Sequence, residues 1–392
     1  MHTVGIIAEY HPFHNGHAWQ IAQARAMGAK TIVIAMSSGM VQRGGVPLLP
    51  DSVRVRAALD AGADLVLALP APYAGSGAEA FAAAGVHILA AAGCDTLVFG
   101  TESADAVGCQ AAAEALCSPA YEAALQNALQ GGARNFAAAR QQALAQISPA
   151  VAELVASPNN NLGIEYAKAN LQQRAGLTLC SLPRQGVGHH DGAAGQFASA
   201  SHLRALWQQE GTEALRPYVP EEAFLLYQQA AQKGLDLDPK AVDIAVLSCL
   251  RMQLPHGFAQ VRGVSEGLEY ALAKAVKKSA TVEELCDALT TSRYPRARMR
   301  RLVWDAALGW GKEVNCQVPY LHILGARRSA LAELNQIAVL PVDTSLARLE
   351  KQNVACACIA AAQAAAVDLG NLCRRKISPM GTAYTQMAVI LP

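Results

Sequence analysis

Four short apolar runs, VGIIA at 4–8, TIVIAM at 31–36, DLVLAL at 64–69 and TLVFG at 96–100, recur through the first hundred residues with room for a helix between each pair. They lack the in-out alternation of half-exposed strands, so they suit strands covered on both faces. Helix-length segments near 17–28, 51–61 and 76–93 fill the gaps. The order β-α-β-α-β-α-β predicts an α/β fold built on a doubly wound parallel sheet, with ligands at the carboxyl ends of the strands.

From about 104 to 157 the chain turns alanine-rich and strand-poor, which predicts helices inserted into or packed on this sheet. One more strand is expected at 177–182 and a closing helix near Ser201. The remainder is mostly helical by pattern, with Pro and Gly breaks near 217–220, 234–239, 255–267 and 379–381. Because 392 residues exceed what one core usually holds, we expect two units: a nucleotide-handling sheet unit at 1–210 and a mainly helical unit at 211–392. A hydrophobic share of 52% with 16% charged residues excludes a disordered chain. The ten cysteines contain no C-x-x-C and read as buried thiols of a reducing compartment. The amino terminus lacks a signal-peptide pattern, and the longest uncharged stretches, 352–367 and 377–392, hold 16 residues each, so a cytoplasmic protein without a membrane partner is expected.

After the first run comes Glu9-Tyr10-His11-Pro12-Phe13-His14-Asn15-Gly16-His17, an H-x-G-H in a strand-to-helix loop. Gly16 lets the backbone approach a ligand, and the following helix directs its N–H groups and positive dipole end at whatever the loop holds. His14 and His17, the candidate catalytic pair, can both donate to a phosphate that gains charge in an in-line displacement. Ten histidines and 31 glycines would supply roughly 0.02 copies of this pattern by chance. A lone histidine is ordinarily a surface or satisfied core residue, but this setting favours function. No metal-ligand cluster is present; in His189-His190-Asp191, adjacent side chains of an extended loop point apart.

H-x-G-H after a first strand resembles the nucleotidyltransferase superfamily that also contains class I aminoacyl-tRNA synthetases. The longer string resembles the E-Y-N-P-F-H-N-G-H opening of the tRNA(Met) cytidine acetate ligase family. Further matches run in order to about residue 330, including Met36-Ser37, Gln42-Arg43-Gly44, Leu69-Pro70, Phe99-Gly100-Thr101-Glu102, Pro158-Asn159-Asn160, Leu162-Gly163-Ile164-Glu165-Tyr166, His190-Asp191, Ser199-Ala200-Ser201-His202-Leu203-Arg204 and Val264-Ser265-Glu266-Gly267-Leu268-Glu269. The resemblance implies an ATP-dependent ligase that activates acetate as acetyl-adenylate, releases pyrophosphate, and passes the acetyl group to the wobble cytidine of elongator tRNA(Met), leaving AMP and N4-acetylcytidine. It implies that ATP is lined by Ile7 and Ala8, by the string from Glu9 to His17, and by Ala18, Trp19 and Gln20. Gly100, Asn159 or its neighbour Asn160, and Arg184 would add contacts, Ser199, Ser201 and Arg204 would lie near the β- and γ-phosphates, and Mg²⁺ would arrive with ATP. Read alone, Asn159 is an ordinary turn residue, Arg184 a surface ion pair and Ser199 a plain helix cap.

The 32 Lys and Arg against 31 Asp and Glu give no hint of nucleic acid, so an RNA partner needs clustered cations. Arg293, Arg296, Arg298, Arg300 and Arg301 fall within nine positions beside Tyr294, with Lys274, Lys277 and Lys278 one helix upstream. Composition favours a solvated helix face; the resemblance favours a tRNA surface. The K-M-S-K-S loop that synthetases of the superfamily often carry is absent, and three positions depart from the family pattern: Gly45 stands where Q-R-G-E has its acidic residue, Asp51 where relatives tend to have lysine, and Asn161 where they have an apolar residue. Two other readings stay open: a small-molecule adenylyltransferase of the same superfamily, and a tRNA-binding protein with a decayed nucleotide site.

Overall fold

The five expected strands form as β1 (Thr3–Ala8), β2 (Thr31–Ser37), β3 (Leu65–Leu69), β4 (Thr96–Thr101) and β5 (Thr178–Pro183) in a computed structural model that describes residues 2–102, 105–133, 136–156, 158–183, 193–314 and 317–392. Between them lie α1 (Asn15–Ala26), α2 (Asp51–Asp60), α3 (Ala71–Ala74) and α4 (Ala78–Ala91). Consecutive strand side chains point to opposite faces. Val33, Ala35, Leu65 and Leu67 therefore enter one core while Ile32, Ile34, Val66 and Ala68 enter the other. The central order β3-β2-β1-β4-β5 is parallel throughout and reverses between β1 and β4. Open α/β sheets bind ligands at such a reversal.

The alanine-rich stretch folds as α5 (Ala106–Leu116), α6 (Pro119–Gln130), α7 (Phe136–Ile147) and α8 (Pro149–Ala156), followed by α9 (Pro158–Gln173). Pro158-Asn159-Asn160 is thus the first turn of α9 and not the free turn expected from sequence. Proline is tolerated there because the first N–H groups of a helix have no intrahelical partner. A hairpin of β6 (Ala193–Ala194) and β7 (Phe197–Ala198) leads to α10 (Ala200–Glu210), whose N-cap is Ser199.

Beyond 211 the chain forms α11 (Glu221–Gln232), α12 (Pro239–Gln253), α13 (Leu268–Val276), α14 (Val282–Leu289) and α15 (Arg296–Ala307). Strands that the mainly helical pattern did not mark then follow. β8 (Leu321–Arg327) runs antiparallel beside β3, and after α16 (Arg328–Ile337) the short β9 (Val342–Asp343) pairs with it. After α17 (Leu346–Glu350), α18 (Val354–Leu372) and α19 (Thr382–Thr385), β10 (Val389–Leu391) closes the edge of the sheet. The reason is physical: a seven-residue run, LHILGAR, cannot be told by pattern from a piece of buried helix. Hence residues 211–392 share the sheet of residues 1–210.

Among the described residues, α18 is the one helix long and apolar enough to cross a bilayer. Its Ile359, Ala360, Ala366 and Leu369 pack in the core, and its buried Gln363 accepts the Ala71 N–H at 2.6 Å and donates to Ser38 at 2.7 Å.

His322 on β8 is buried, which pushes its imidazole down to about 4. The unfolded chain takes up a proton below about pH 6.5, while the folded chain does so only near 4. Stability carried by the neutral ring is therefore complete above 6.5 and falls as pH drops through this window, by roughly 3 kcal/mol in all. His322→Gln is expected to flatten the dependence of urea midpoints between pH 7 and pH 5; an unchanged slope would show that His322 does not contribute it.

Candidate active site

β1 delivers Glu9 to Phe13 into a loop that is fixed before any ligand arrives. Tyr10 takes a left-handed φ of 49°, unusual for a residue with a side chain. Its buried ring meets Phe13 edge-on at 4.8 Å, and Tyr227 of α11 donates its hydroxyl to the Phe13 carbonyl at 2.7 Å. His14 then caps α1. Its Nδ1 accepts the Gly16 N–H at 3.1 Å, and His17 Nδ1 accepts the His14 N–H at 3.2 Å, a reciprocal cap built from two imidazoles. Because each Nδ1 accepts from backbone, the donating edge of each ring is Nε2–H. The rings stack with centroids 3.7 Å apart, and every residue from His14 to Gln20 is partly exposed, an open mouth at the helix start.

The other residues expected around ATP divide into three groups. Ile7 and Ala8 close β1, Pro12 and Phe13 are buried beneath the loop, and Ala18 and Trp19 pack against the core. Gln20 bridges the strand-order reversal by donating to the Val98 carbonyl of β4 at 3.3 Å, and Gly100 is the one exposed position of β4. The second group serves the scaffold. Asn15 donates to the carbonyls of Gln196 and Pro217 at 2.9 and 3.2 Å, tying α1 to the hairpin. Asn160, of the two alternatives, is buried and accepts the Glu102 N–H at 3.3 Å. Ser199 caps α10 by accepting the His202 N–H at 3.2 Å. The third group reaches the loop from α10: Arg204 donates to the His11 carbonyl at 2.8 Å and to Ser201 at 3.0 Å. The side chain of Asn159, and Arg184 with His190 and Asp191, lie outside the described residues.

Charge converges on this loop from four guanidinium groups, only one of which, Arg204, sequence reasoning placed there. Arg54, fully buried on α2, donates to the Glu9 carbonyl at 2.6 Å and pairs with Asp51 at 2.5 Å. Arg43 lies in the loop after β2, where the Gln42 N–H donates to the Glu9 carboxylate at 2.5 Å. Arg300 arrives from α15 and donates through Nε to the Gly44 carbonyl at 2.9 Å. Burial raises the Glu9 carboxyl above the ordinary range, against the pull of the Gln42 N–H and of Arg204, Arg54 and Arg43. Burial, then Arg204, Arg54 and Arg300, holds the His11 imidazole well below its ordinary value, and its Nδ1 accepts the Leu48 N–H at 2.9 Å. Asp51 is thus no bare charge facing a phosphate: besides Arg54 it takes the Ser38 hydroxyl.

The arginines read as one RNA face divide between two surfaces. Arg301 is mostly buried and donates to the Gln42 carbonyl at 3.3 Å, so it and Arg300 face the loop. Arg296 and Arg300 both pair with Glu283, and Arg293 pairs with Glu266 at 2.5 Å. Lys277, Lys278 and Arg298 are exposed, with the Arg298 guanidinium 4.9 Å from the Tyr294 ring.

A doubly wound sheet with H-x-G-H at its β1/β4 reversal defines the class of nucleotide-handling α/β proteins. The HIGH Nucleotidyl Transferase family model matches residues 1–377. The tRNA(Met) cytidine acetate ligase of Listeria monocytogenes serotype 4b (strain CLIP80459) is 31% identical over 360 residues, covering 89% of this chain and 90% of the relative. That of Thermoanaerobacter sp. (strain X514) is 31% identical over 366 residues, with 90% of each covered. Thermotoga maritima TmcAL, bound with alpha-thio ATP, matches the whole of both chains with a TM-score of 0.90 at 25% identity, and its apo form with 0.92. The chain belongs to the HIGH nucleotidyl transferases and, within them, to the tRNA(Met) cytidine acetate ligase family.

Proposed function

We propose that this chain is an ATP-dependent ligase that joins acetate to the wobble cytidine of elongator tRNA(Met). The observation that carries the reading is the pair of backbone-capped imidazoles at the β1/β4 reversal, on the loop that Arg204 also grips. A carboxylate oxygen of acetate attacks the α-phosphorus of ATP in line, and the bond to the bridging oxygen breaks as pyrophosphate leaves. His14 and His17 donate Nε2–H to phosphate oxygens as charge develops, and the start of α1 adds its N–H groups. The cytidine amine then attacks the acetyl carbonyl, AMP leaves, and the amine loses its proton. Mg²⁺ enters on the phosphate oxygens of ATP as part of the substrate. This reading places the protein in the cytoplasm, where ATP and tRNA meet.

For RNA capture we assign Lys277, Lys278 and Arg298, three of the exposed cations of the α13–α15 region, with Tyr294 beside Arg298. Arg293 and Arg296 can join once RNA phosphates displace their carboxylate partners. Replacing Lys277, Lys278 and Arg298 together by alanine is expected to weaken tRNA binding and reduce the slope of log K against log salt by about 2–3. Acetyl-adenylate formation should persist; an unchanged salt slope would move the RNA surface elsewhere.

Acetate-dependent ATP–pyrophosphate exchange tests the first half of the reaction without tRNA. The ligase reading expects exchange that rises with acetate; exchange only with a mononucleotide acceptor would favour the small-molecule adenylyltransferase, and none at all a decayed site.

A further inference from the structure

We propose that Arg300, carried by α15 from the far part of the chain, is a ligand of the β- and γ-phosphates and of the leaving pyrophosphate. This rests on the ATP reading above. An in-line displacement at the α-phosphorus concentrates negative charge on the departing pyrophosphate, and planar guanidinium groups suit such oxygens. The chain has no K-M-S-K-S motif to supply that charge.

Three observations place Arg300 at this task. The first is position: its Nε is bonded to the Gly44 carbonyl at 2.9 Å, in the loop whose Gln42 N–H holds Glu9. Arg204 of α10 and Arg43 both act electrostatically on the Glu9 carboxylate, and Arg43 and Arg300 both act on Arg204. The second is unspent hydrogen-bonding capacity. Nε and Nη1 are taken by Gly44 and Glu283, whereas Nη2 has no acceptor among the described residues. The third is the loss of a counter-charge. A Cβ on Gly45 would lie 3.8 Å from Nη2, so an acidic residue at 45, as in the family pattern, would start its side chain beside this guanidinium. With glycine there, Arg43, Arg204 and Arg300 share a mouth with the Glu9 carboxylate, and like charges held together favour a polyanion between them. Glu283, which also pairs with Arg296, competes for Arg300 from the outer side.

The test uses the full-length protein and measures KM for ATP, KM for acetate, inhibition by inorganic pyrophosphate and the dissociation constant for tRNA. Arg300→Gln is expected to raise KM for ATP and the pyrophosphate inhibition constant by about tenfold to a hundredfold, the range for one charge-assisted hydrogen bond, and to leave KM for acetate and tRNA affinity within about twofold. Glu283→Gln keeps the Arg300 contact with Gly44 and removes its competing carboxylate, so KM for ATP should stay level or fall. If Glu283→Gln raises KM for ATP as much as Arg300→Gln does, the ion pair is merely structural and the proposal is overturned. If Arg300→Gln instead weakens tRNA with ATP and pyrophosphate constants unchanged, Arg300 belongs to the RNA surface. Absence of exchange in the unmodified protein would count against the ligase reading itself.

Discussion

His17→Ala is expected to lower acetate-dependent ATP–pyrophosphate exchange by about two to three orders of magnitude, the usual loss when one fixed donor to a developing anion is removed. Two separate roles of the ring must be told apart. His17 Nδ1 accepts the His14 N–H at 3.2 Å, so its removal also uncaps α1, at a cost of about 1 kcal/mol. His17→Gln separates them, because glutamine three residues into a helix can return an acceptor to the cap. It should hold the melting temperature while losing most of the activity. Exchange within a few-fold of the unmodified protein in either variant would contradict the phosphate role of His17, while tRNA binding should survive in both.

The second large effect is expected at Gly44, where α15 meets the loop after β2. The residue has φ +83°, and a Cβ there would lie 2.9 Å from the Arg301 nitrogen and 3.0 Å from the Arg300 carbonyl carbon. Both are backbone atoms, so no side chain can swing aside. Gly44→Ala must therefore shift α15 against the loop, straining the bonds from Arg300 to Gly44 and from Arg301 to Gln42. The left-handed φ alone costs about 1–2 kcal/mol in a residue with a side chain. Gly28→Ala supplies that penalty by itself, since Gly28 has φ +94° with nothing within 4 Å of its Cβ position. Relative to Gly28→Ala, Gly44→Ala is expected to melt several degrees lower and to raise KM for ATP at least as much as Arg300→Gln. Equal behaviour of the two alanine variants would mean that α15 does not support the nucleotide site.

What the sequence revealed follows from where its side chains are buried. The first four strands were legible because strands covered on both faces are apolar throughout, and H-x-G-H was legible because its roles need adjacent residues. β8 was not, since its His322 and Gly325 break an already short run and its partner β3 lies some 250 residues earlier. The faces of α15 were half legible: Met299, Leu302 and Val303 mark the buried side, but nothing local tells that Arg300 and Arg301, on its margins, meet Gly44 and Gln42. Arg54 offered a usable signal, a charge on the same helical stripe as buried Val55 and Ala58 and three residues from Asp51. That spacing also explains why Asp51 is tolerated. Asn160 offered none, because its partner is the backbone at Glu102.

The most direct measurement is mass spectrometry of bulk tRNA incubated with the protein, ATP and isotopically labelled acetate, after digestion to nucleosides and separately after isolation of elongator tRNA(Met). The ligase reading expects labelled N4-acetylcytidine, confined to that tRNA and dependent on ATP; unlabelled tRNA in an incubation that still converts ATP would contradict it.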